Sequence, residues 1–307
     1  MTCHLYFDKE NIFMKSYICI DIGGTNIKYG IIREDAVILE NHEIPTEAHL
    51  GGPKILHKVT SIVSAYLDNA SYAGVCISTA GIVDCQKGEI VHAGHTIPNF
   101  KGTGFKATIE NTFHLPCEVE NDVNCAALAE HYAGASKGTS SSLCLTIGTG
   151  IGGALILNNQ IHHGFSFSGC EVGYMHMLGS SFEKLGASSI LVKKVQKAKG
   201  STDQSIDGRY VFERAKEGDE DCIRAIDEMA DVLGMGIANI CYIVNPEIIV
   251  LGGGIMAQKE YLYPKIRAAM DKYLIPYISE KTTLAFAQNE NQAGMLGAFY
   301  HFQAIHQ

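Results

Sequence analysis

The feature that most constrains this chain is a strand–turn–strand unit, rich in glycine at its turn, that occurs twice. The first copy, from residue 18, reads I-C-I-D-I-G-G-T-N-I-K-Y-G-I-I, and the second, from residue 143, reads L-C-L-T-I-G-T-G-I-G-G-A-L-I-L. Each apolar run has the length of a buried strand, and paired glycines allow a tight turn between two such runs. The repeat predicts an internal duplication: two related α/β halves, each with a hairpin able to grip phosphate, and a ligand cleft between them.

The rest of the chain alternates further strands with helices. Strands are predicted over residues 17–22, 27–32, 36–42, 74–78, 117–120, 142–147, 153–157 and 248–251. Helices are predicted over 54–67, 124–132 and 219–244, where apolar side chains recur at helical spacing or cap-forming residues come first. The alternation indicates a mixed α/β protein.

Length, charge and cysteine content narrow the class of protein further. A chain of 307 residues with 46% hydrophobic residues can build two domains, each with its own core. A formal net charge of −9 argues against nucleic acid as a partner, because phosphate-backbone binders need clustered basic surface. Ten scattered cysteines without a C-x-x-C pair predict reduced core residues and a cytoplasmic protein.

The sequence predicts neither a secretory signal nor a membrane span. Residues 1–13 contain Asp8 and Glu10 and lack an apolar core with a cleavage site, so we expect an extension or disordered tail there rather than a secretory signal. The stretch between Lys137 and Glu171 has no charged residue, but serines and glycines divide it into short apolar pieces. It therefore predicts two buried strands around a glycine turn, and no membrane partner is expected.

The first glycine-rich turn offers the groups that phosphate binding requires. Gly23 and Gly24 let backbone N–H groups approach phosphate oxygens, Thr25 and Asn26 add donors, and Lys28 brings a cation. The turn is neither a Walker A loop nor a Rossmann fingerprint, because it continues into a strand. A single Gly-Gly hairpin could equally be a structural turn, and it is the second copy that favours phosphate binding.

Four segments, taken in order, resemble the ROK sugar kinases within the wider actin-like ATPase and hexokinase superfamily. They are D-I-G-G-T-N-I-K from residue 21, E-N-D-V-N-C-A-A-L-A-E from 120, L-T-I-G-T-G-I-G-G from 145 and N-P-E-I-I-V-L-G-G-G from 245. The resemblance implies an α/β, actin-like (ribonuclease H-like) two-domain ATPase fold with a duplicated βββαβα-type core. It also implies ATP with Mg²⁺ and transfer of the γ-phosphoryl group to a hexose hydroxyl, usually at carbon 6.

We place the domain boundaries on the same resemblance. A small N-terminal domain is expected to comprise residues 14–120 together with a C-terminal helix at 294–307. The larger C-terminal domain is expected to comprise 121–293. A homodimer is implied by the family alone.

Two aspartates are expected to serve the chemistry. A sugar hydroxyl is a poor nucleophile, and Asp122 in E-N-D is the expected catalytic base that activates it. From the motif alone Asp122 could instead be a helix N-cap. Asp21 ends the first strand facing the phosphates, where its carboxylate is expected to reach Mg²⁺ through water.

The remaining ligand contacts are carried over from the family motifs. For the sugar they are Gly81, Asn99, Asn121 and Glu171, with Glu183 as a further contact to the anomeric end. For the β and γ phosphates they are Thr146, Gly148, Thr149 and Gly150. Gly252, Gly253 and Gly254 are expected to form a surface for the adenosine, although they could merely turn the chain.

Two departures from the family pattern bear on metal and substrate. Many members read E-x-G-H followed by a zinc-binding cysteine cluster, whereas here Tyr174 stands at the His position and no Cys follows in G-S-S-F-E-K-L-G. Structural zinc is therefore not expected, and Tyr174 can instead donate a hydrogen bond to a sugar hydroxyl. Ala80 stands before Gly81 where Pro is usual, which predicts a less rigid loop beside the sugar. The sugar stays open between glucose, a β-glucoside and N-acetylmannosamine.

Two functions are compatible with these motifs. One is a cytoplasmic ATP-dependent sugar kinase, and the other is a sugar-sensing regulator of the same family that does not catalyse. Regulators of this family carry a helix-turn-helix domain before the first phosphate loop, and the segment before Asp21 is too short for one. The intact Asp122 and both hairpins favour the kinase.

Overall fold

A computed structural model of the chain describes residues 14–94 and 97–306. The expected extension at residues 1–13 lies outside the described residues. The described residues up to Asp122, together with those from Ala298 onward, form one compact unit, and Val123–Gly297 forms a second.

The first unit is built from a sheet with helices α1 and α2 and the end of the last helix. Its elements are β1 (Ser16–Ile22), β2 (Asn26–Arg33), β3 (Ile38–Pro45), α1 (Gly52–Leu67), β4 (Val75–Thr79), β5 (Ile82–Asp84), β6 (Glu89–His92), α2 (Phe105–Phe113) and β7 (Cys117–Asn121). Five strands form one sheet in the order β3-β2-β1-β4-β7, and β5 pairs separately with β6.

The second unit is larger and richer in helices. Its elements are α3 (Asp122–Ala133), β8 (Ser142–Ile147), β9 (Ile151–Leu157), β10 (Gln160–Ile161), β11 (His176–Met177), β12 (Ser180–Ser181), α4 (Phe182–Gly186), α5 (Ser188–Ala198), α6 (Gly208–Lys216), α7 (Glu220–Val244), β13 (Ile248–Gly252), α8 (Lys259–Tyr273), α9 (Pro276–Ser279), β14 (Thr283–Phe286) and α10 (Ala293–His306). The sheet has the order β10-β9-β8-β13-β14. Helix α3 begins with the last residue of the first unit, and α10 ends in that unit.

The two sheets share one topology. In each, three consecutive strands form an antiparallel meander, and two later strands then add in parallel to the edge formed by the first strand of that meander. The parallel strands are reached through helices, because parallel pairing needs a long crossover connection. The internal duplication predicted from the repeated hairpin is confirmed.

The cores explain why the apolar runs form these elements. Strand β1 is central in its sheet, and Ile18, Ile20 and Ile22 are fully buried. Helix α1 packs Ile55 and Val59 into the same core, which confirms the apolar face predicted for it. In the second unit α7 buries Ile226, Ala230, Leu233, Ile237 and Ile240, the long stripe predicted from their spacing.

The charge-free stretch between Lys137 and Glu171 forms the predicted hairpin, β8 and β9 around a glycine turn. No helix within the described ranges is both long and apolar enough to span a bilayer. The nine described cysteines are free, and all but the half-buried Cys170 are buried. Eight of the nine described cysteines are thus buried core residues, as expected of most of them.

The third predicted strand is displaced along the chain. It was expected at 36–42 but runs from Ile38 to Pro45, because Ala36 adopts a left-handed φ of 65° and its N–H bonds the Arg33 carbonyl. That bond closes the turn between β2 and β3, so pairing with β2 starts only after it.

Candidate active site

Asp21 lies in a row of polar side chains that crosses the first sheet. Lys28 on β2 and Ser78 on β4 are its direct partners across the ladder, so the three side chains project from one face. Ser78 Oγ donates a hydrogen bond of 2.8 Å to Asp21 Oδ1. Burial raises the pKa of the Asp21 carboxyl, and the Ser78 bond and the Lys28 charge oppose that rise. A cation at Asp21 would relieve the desolvation of the carboxylate, so the residue fits the magnesium role expected of it.

The turn after Asp21 is closed by a hydrogen bond of its own and held by two more from Thr46. The Gly23 N–H bonds the Asn26 carbonyl at 3.0 Å, and Thr46 Oγ1 donates to the Gly23 carbonyl at 2.7 Å. The Thr46 N–H bonds the Thr25 carbonyl at 2.8 Å. Gly24 and Thr25 are exposed at the tip, where an incoming phosphate can reach them.

Asp122 is positioned by its neighbour Asn121. Asn121 ends β7, and Asp122 is the first residue of α3, where the helix dipole favours a carboxylate. The Asn121 side-chain amide donates to Asp122 Oδ1 at 3.0 Å and to the Gly81 carbonyl at 2.9 Å. Three predicted site residues are therefore joined by one side chain. Asp122 is the first residue of α3 and not the residue before it, so it lies one position past the cap, and its role as catalytic base stays a prediction.

Gly81 occupies a position that only glycine tolerates well. Its φ is 96°, and a Cβ there would lie 2.8 Å from the His92 carbonyl oxygen. Asn99, another expected sugar contact of this unit, is exposed and also left-handed, with a φ of 52°. It follows Pro98, whose carbonyl accepts a bond from the Gly52 N–H at the start of α1.

The second hairpin is held by two serines that sequence reasoning did not assign. Ser188 Oγ donates to the Gly148 carbonyl at 2.6 Å, and Ser189 Oγ donates to the Thr149 carbonyl at 2.6 Å. The Gly148 N–H also bonds the Gly150 carbonyl across the turn. These bonds fix the turn in one conformation, as a preorganised phosphate site requires. The only sequence signal was the Ser-Ser pair that opens α5.

Glu183, Glu171 and Tyr174 are the sugar contacts expected in the second unit. Glu183 lies in the first turn of α4, and its Oε2 is so close to Gly150 that an added Cβ would approach it to 2.6 Å. The structure thus places Glu183 against the second hairpin. Glu171 is exposed, and Tyr174 is 61% exposed. Their roles toward a sugar stay predictions.

A cavity of about 390 Å³ opens where β13 and β14 end. The predicted Gly252–Gly254 form one side of it, and Phe286, Ala287, Glu290 and Asn291 form another. Gly253 has a φ of 105°, and a Cβ there would overlap the Ile147 carbonyl at the end of β8. The cavity therefore adjoins the second hairpin through direct backbone contact. Its size falls within the range of small-ligand sites, and it lies at the carboxyl ends of parallel strands, where α/β proteins bind nucleotides.

Residues 286–291 were not predicted as part of any site. They belong to the segment A-F-A-Q-N-E-N, which carries no glycine-rich or acidic motif. Their contribution follows from the parallel pairing of β14 with β13, a long-range contact.

The chain is similar to known proteins over nearly all of its length. A family model described as the ROK family matches residues 17–305. An uncharacterized protein of Clostridium perfringens is 50% identical, covering 94% of this chain and 98% of that protein. A beta-glucoside kinase of Klebsiella pneumoniae is 30% identical, covering 93% of this chain and 95% of that enzyme.

A solved structure gives the same result for the fold. The ROK family glucokinase from Streptomyces griseus, in complex with glucose and AMPPNP, matches with a TM-score of 0.79 and 26% identity over 92% of this chain and 97% of that one. The actin-like ATPase fold expected from the sequence is thereby confirmed. With the family model matching nearly the whole described length, the chain belongs to the ROK family.

Proposed function

We propose that this protein is an ATP-dependent kinase that transfers the γ-phosphoryl group to the 6-hydroxyl of a hexose such as glucose, a β-glucoside or N-acetylmannosamine. The observation that carries the proposal is the cavity at Gly252–Gly254, which is of ligand size and touches the second hairpin at Ile147. A cavity joined to a braced glycine turn suits a nucleoside with its phosphates. Sugar sensing alone needs neither feature.

The chain's own residues account for the transfer. Asp122 accepts the proton of the attacking hydroxyl while its oxygen forms a bond to the γ-phosphorus and the bond to the β-phosphate oxygen breaks, releasing ADP. Asn121 holds the Asp122 carboxylate by the bond to Oδ1 and so limits its orientations. Gly23–Asn26 and Thr146–Gly150 supply backbone donors for the phosphates, and Mg²⁺ near Asp21 would offset their negative charge.

The choice of sugar depends on residues that depart from the common pattern. Tyr174 is exposed, so its hydroxyl is accessible to a ligand. Its phenol can bond a sugar hydroxyl but is a poor substitute for a zinc-bound histidine. The related enzyme from Klebsiella acts on β-glucosides and the one from Streptomyces griseus is a glucokinase, so both substrate classes belong in the test.

The proposal is tested by an ADP-release assay with MgATP against glucose, N-acetylmannosamine, N-acetylglucosamine, mannose, fructose and cellobiose. Turnover with one of these sugars, lost in Asp122→Ala, supports both the activity and the base. Silence across the panel, together with sugar binding measured by calorimetry, would favour the non-catalytic sugar-sensing regulator.

We also propose that the kinase works in the cytoplasm as a homodimer. The buried free cysteines suit a reducing compartment, and the dimer is an inference from the family. Sedimentation of the purified protein at micromolar concentration tests the oligomeric state, with a monomer contradicting it.

A further inference from the structure

One buried carboxylate ties α3 to the segment that precedes α10. Glu130 is 1% exposed. Its Oε1 accepts bonds from the backbone N–H of Gln288 at 2.9 Å and of Asn289 at 2.8 Å, and from Asn289 Nδ2 at 3.0 Å. Its Oε2 accepts a bond from the Ala135 N–H at 2.8 Å. A carboxylate with this many donors in a buried site is a strong and directional anchor.

The anchored segment is part of the cavity wall. Phe286 and Ala287 precede the two anchored residues and line the cavity, and Glu290 and Asn291 follow them and line it too. Glu290 has a φ of 40°, a left-handed conformation that a non-glycine residue holds only when its surroundings fix it. Glu130 supplies such a constraint from behind the wall, and it is not among the described residues that line the cavity.

We propose that Glu130 is a positioning residue for the nucleotide: by clamping Gln288 and Asn289 it gives the wall at 286–291 the shape that receives the adenosine of ATP. This inference rests on the proposed function for the identity of the ligand. Glu130 acts through the wall and leaves sugar binding and phosphoryl transfer to other residues.

Glu130→Gln tests the clamp with the least change of shape. The amide keeps one acceptor oxygen but turns an NH₂ group toward a backbone N–H, so at least one buried bond is lost. We expect the KM for ATP and the calorimetric Kd for ADP to rise about tenfold, because the binding nucleotide must then order a wall that the clamp no longer holds. The KM for the sugar and kcat should stay within about twofold.

Gly134→Ala disturbs the same clamp while Glu130 itself is kept. A Cβ at Gly134 would overlap Glu130 Oε2 and Asn289 Nδ2, and the φ of Gly134 is not left-handed, so the methyl group acts on the clamp without straining the backbone. We expect the same loss of ADP affinity. Gly94→Ala is the matched control, since among the described residues no atom beyond its chain neighbours lies within 4 Å of the added Cβ.

The outcomes separate this inference from the proposed function. Unchanged ADP affinity in Glu130→Gln and Gly134→Ala, or an equal rise in the sugar KM, would overturn the positioning role. Should Glu130→Gln not fold, Gly134→Ala and Asn289→Ala decide the matter by the same binding measurement. Wild-type protein that binds ADP but phosphorylates no sugar contradicts the proposed activity and leaves the test of Glu130 intact. Wild-type protein that does not bind ADP overturns both.

Discussion

At the residue scale, Asp122 carries the sharpest prediction. Asp122→Asn keeps the size of the side chain and its acceptor toward Asn121 but removes the basic oxygen. We expect kcat to fall by about 10²- to 10⁴-fold, the usual contribution of a general base. The Kd for the sugar should change little, because the amide can still bond a hydroxyl.

Steady-state kinetics and sugar calorimetry on the same preparation check this prediction. A purely structural role for Asp122 makes a different prediction, since a carboxylate in the first turn of α3 would favour the helix and leave turnover unchanged when it is replaced. Turnover near that of the wild type would therefore assign Asp122 to that structural role and remove it from the catalytic step.

Ser78 offers a second prediction at the same scale, because its hydroxyl holds Asp21 Oδ1 at 2.8 Å. The bond lowers the pKa of Asp21 against the effect of burial, so Ser78→Ala should raise that pKa further. A carboxyl that ionises less readily binds a cation less well, and we expect the Mg²⁺ concentration for half-maximal turnover to rise a few-fold. Ser78→Thr, which keeps the hydroxyl, should restore the wild-type requirement, and an unchanged requirement in Ser78→Ala would contradict the role.

The residues that sequence could name are those that belong to local motifs. The glycine turns and E-N-D indicate their chemistry directly, because the access of a ligand to backbone N–H groups and the charge of a carboxylate are properties of a short segment. Ser188, Glu130 and Asn289 were not predicted as site residues, because their roles depend on contacts with residues 40, 158 and 159 positions away. The sequence does not indicate which carbonyl or N–H group a serine or glutamate will contact.

At the element scale, the long helix α7 depends on how it starts. Asp219 is its N-cap, with Oδ1 accepting from the Cys222 N–H at 3.2 Å and Oδ2 accepting from Lys199 Nζ at 2.6 Å. The Lys199 bond is the largest influence that lowers the pKa of Asp219, to about 2. The charged carboxylate thus stabilises the start of the helix that forms the main apolar stripe of the second unit.

Asp219→Asn should preserve the cap and remove only the charge. We expect it to lower the free energy of unfolding at pH 7 by about 1 kcal/mol, typical of a well-formed pair that is not fully exposed. Because the folded pKa lies below the ordinary value of 3.8, the contribution of the charge is complete above pH 4 and fades as pH falls toward 2. Urea unfolding at pH 7, 5 and 3 should show the two proteins converging, and a difference that grows toward acid would contradict the assignment.

The predicted and observed elements agree where one residue pattern extends over a whole strand or helix. The boundaries of β8, Ser142–Ile147, coincide with the prediction, since a continuous apolar run between serine and glycine leaves one choice. Strand β14 was not predicted, because T-L-A-F is short and becomes a strand only by pairing with β13. The short strands β5 and β6 were not predicted for the same reason, because each becomes a strand only by pairing with the other.

At the scale of the whole molecule, the duplication leaves the first unit discontinuous. The chain leaves that unit after Asp122 and returns to it at Ala298, each time within a helix, α3 or α10. Helices α3 and α10 are therefore the two places where the chain passes from one unit to the other. Gly297 of α10 lies directly against the backbone of Cys125 in α3.

Gly297→Ala sets two effects of opposite sign against each other. In a helix interior alanine is favoured over glycine by about 1 kcal/mol. Here the added Cβ would overlap the carbonyl oxygen, carbonyl carbon and Cα of Cys125, all backbone atoms that no rotamer change can move away. Overpacking of this kind costs about 1–3 kcal/mol or more, so we expect net destabilisation of at least about 1 kcal/mol in urea unfolding. At Gly94 an added Cβ has no atom of the described residues within 4 Å beyond its chain neighbours, so Gly94→Ala should be close to neutral. A Gly297→Ala protein as stable as the wild type would mean that α3 and α10 can separate at no cost, and the close approach of the two helices would then not be a requirement of the fold.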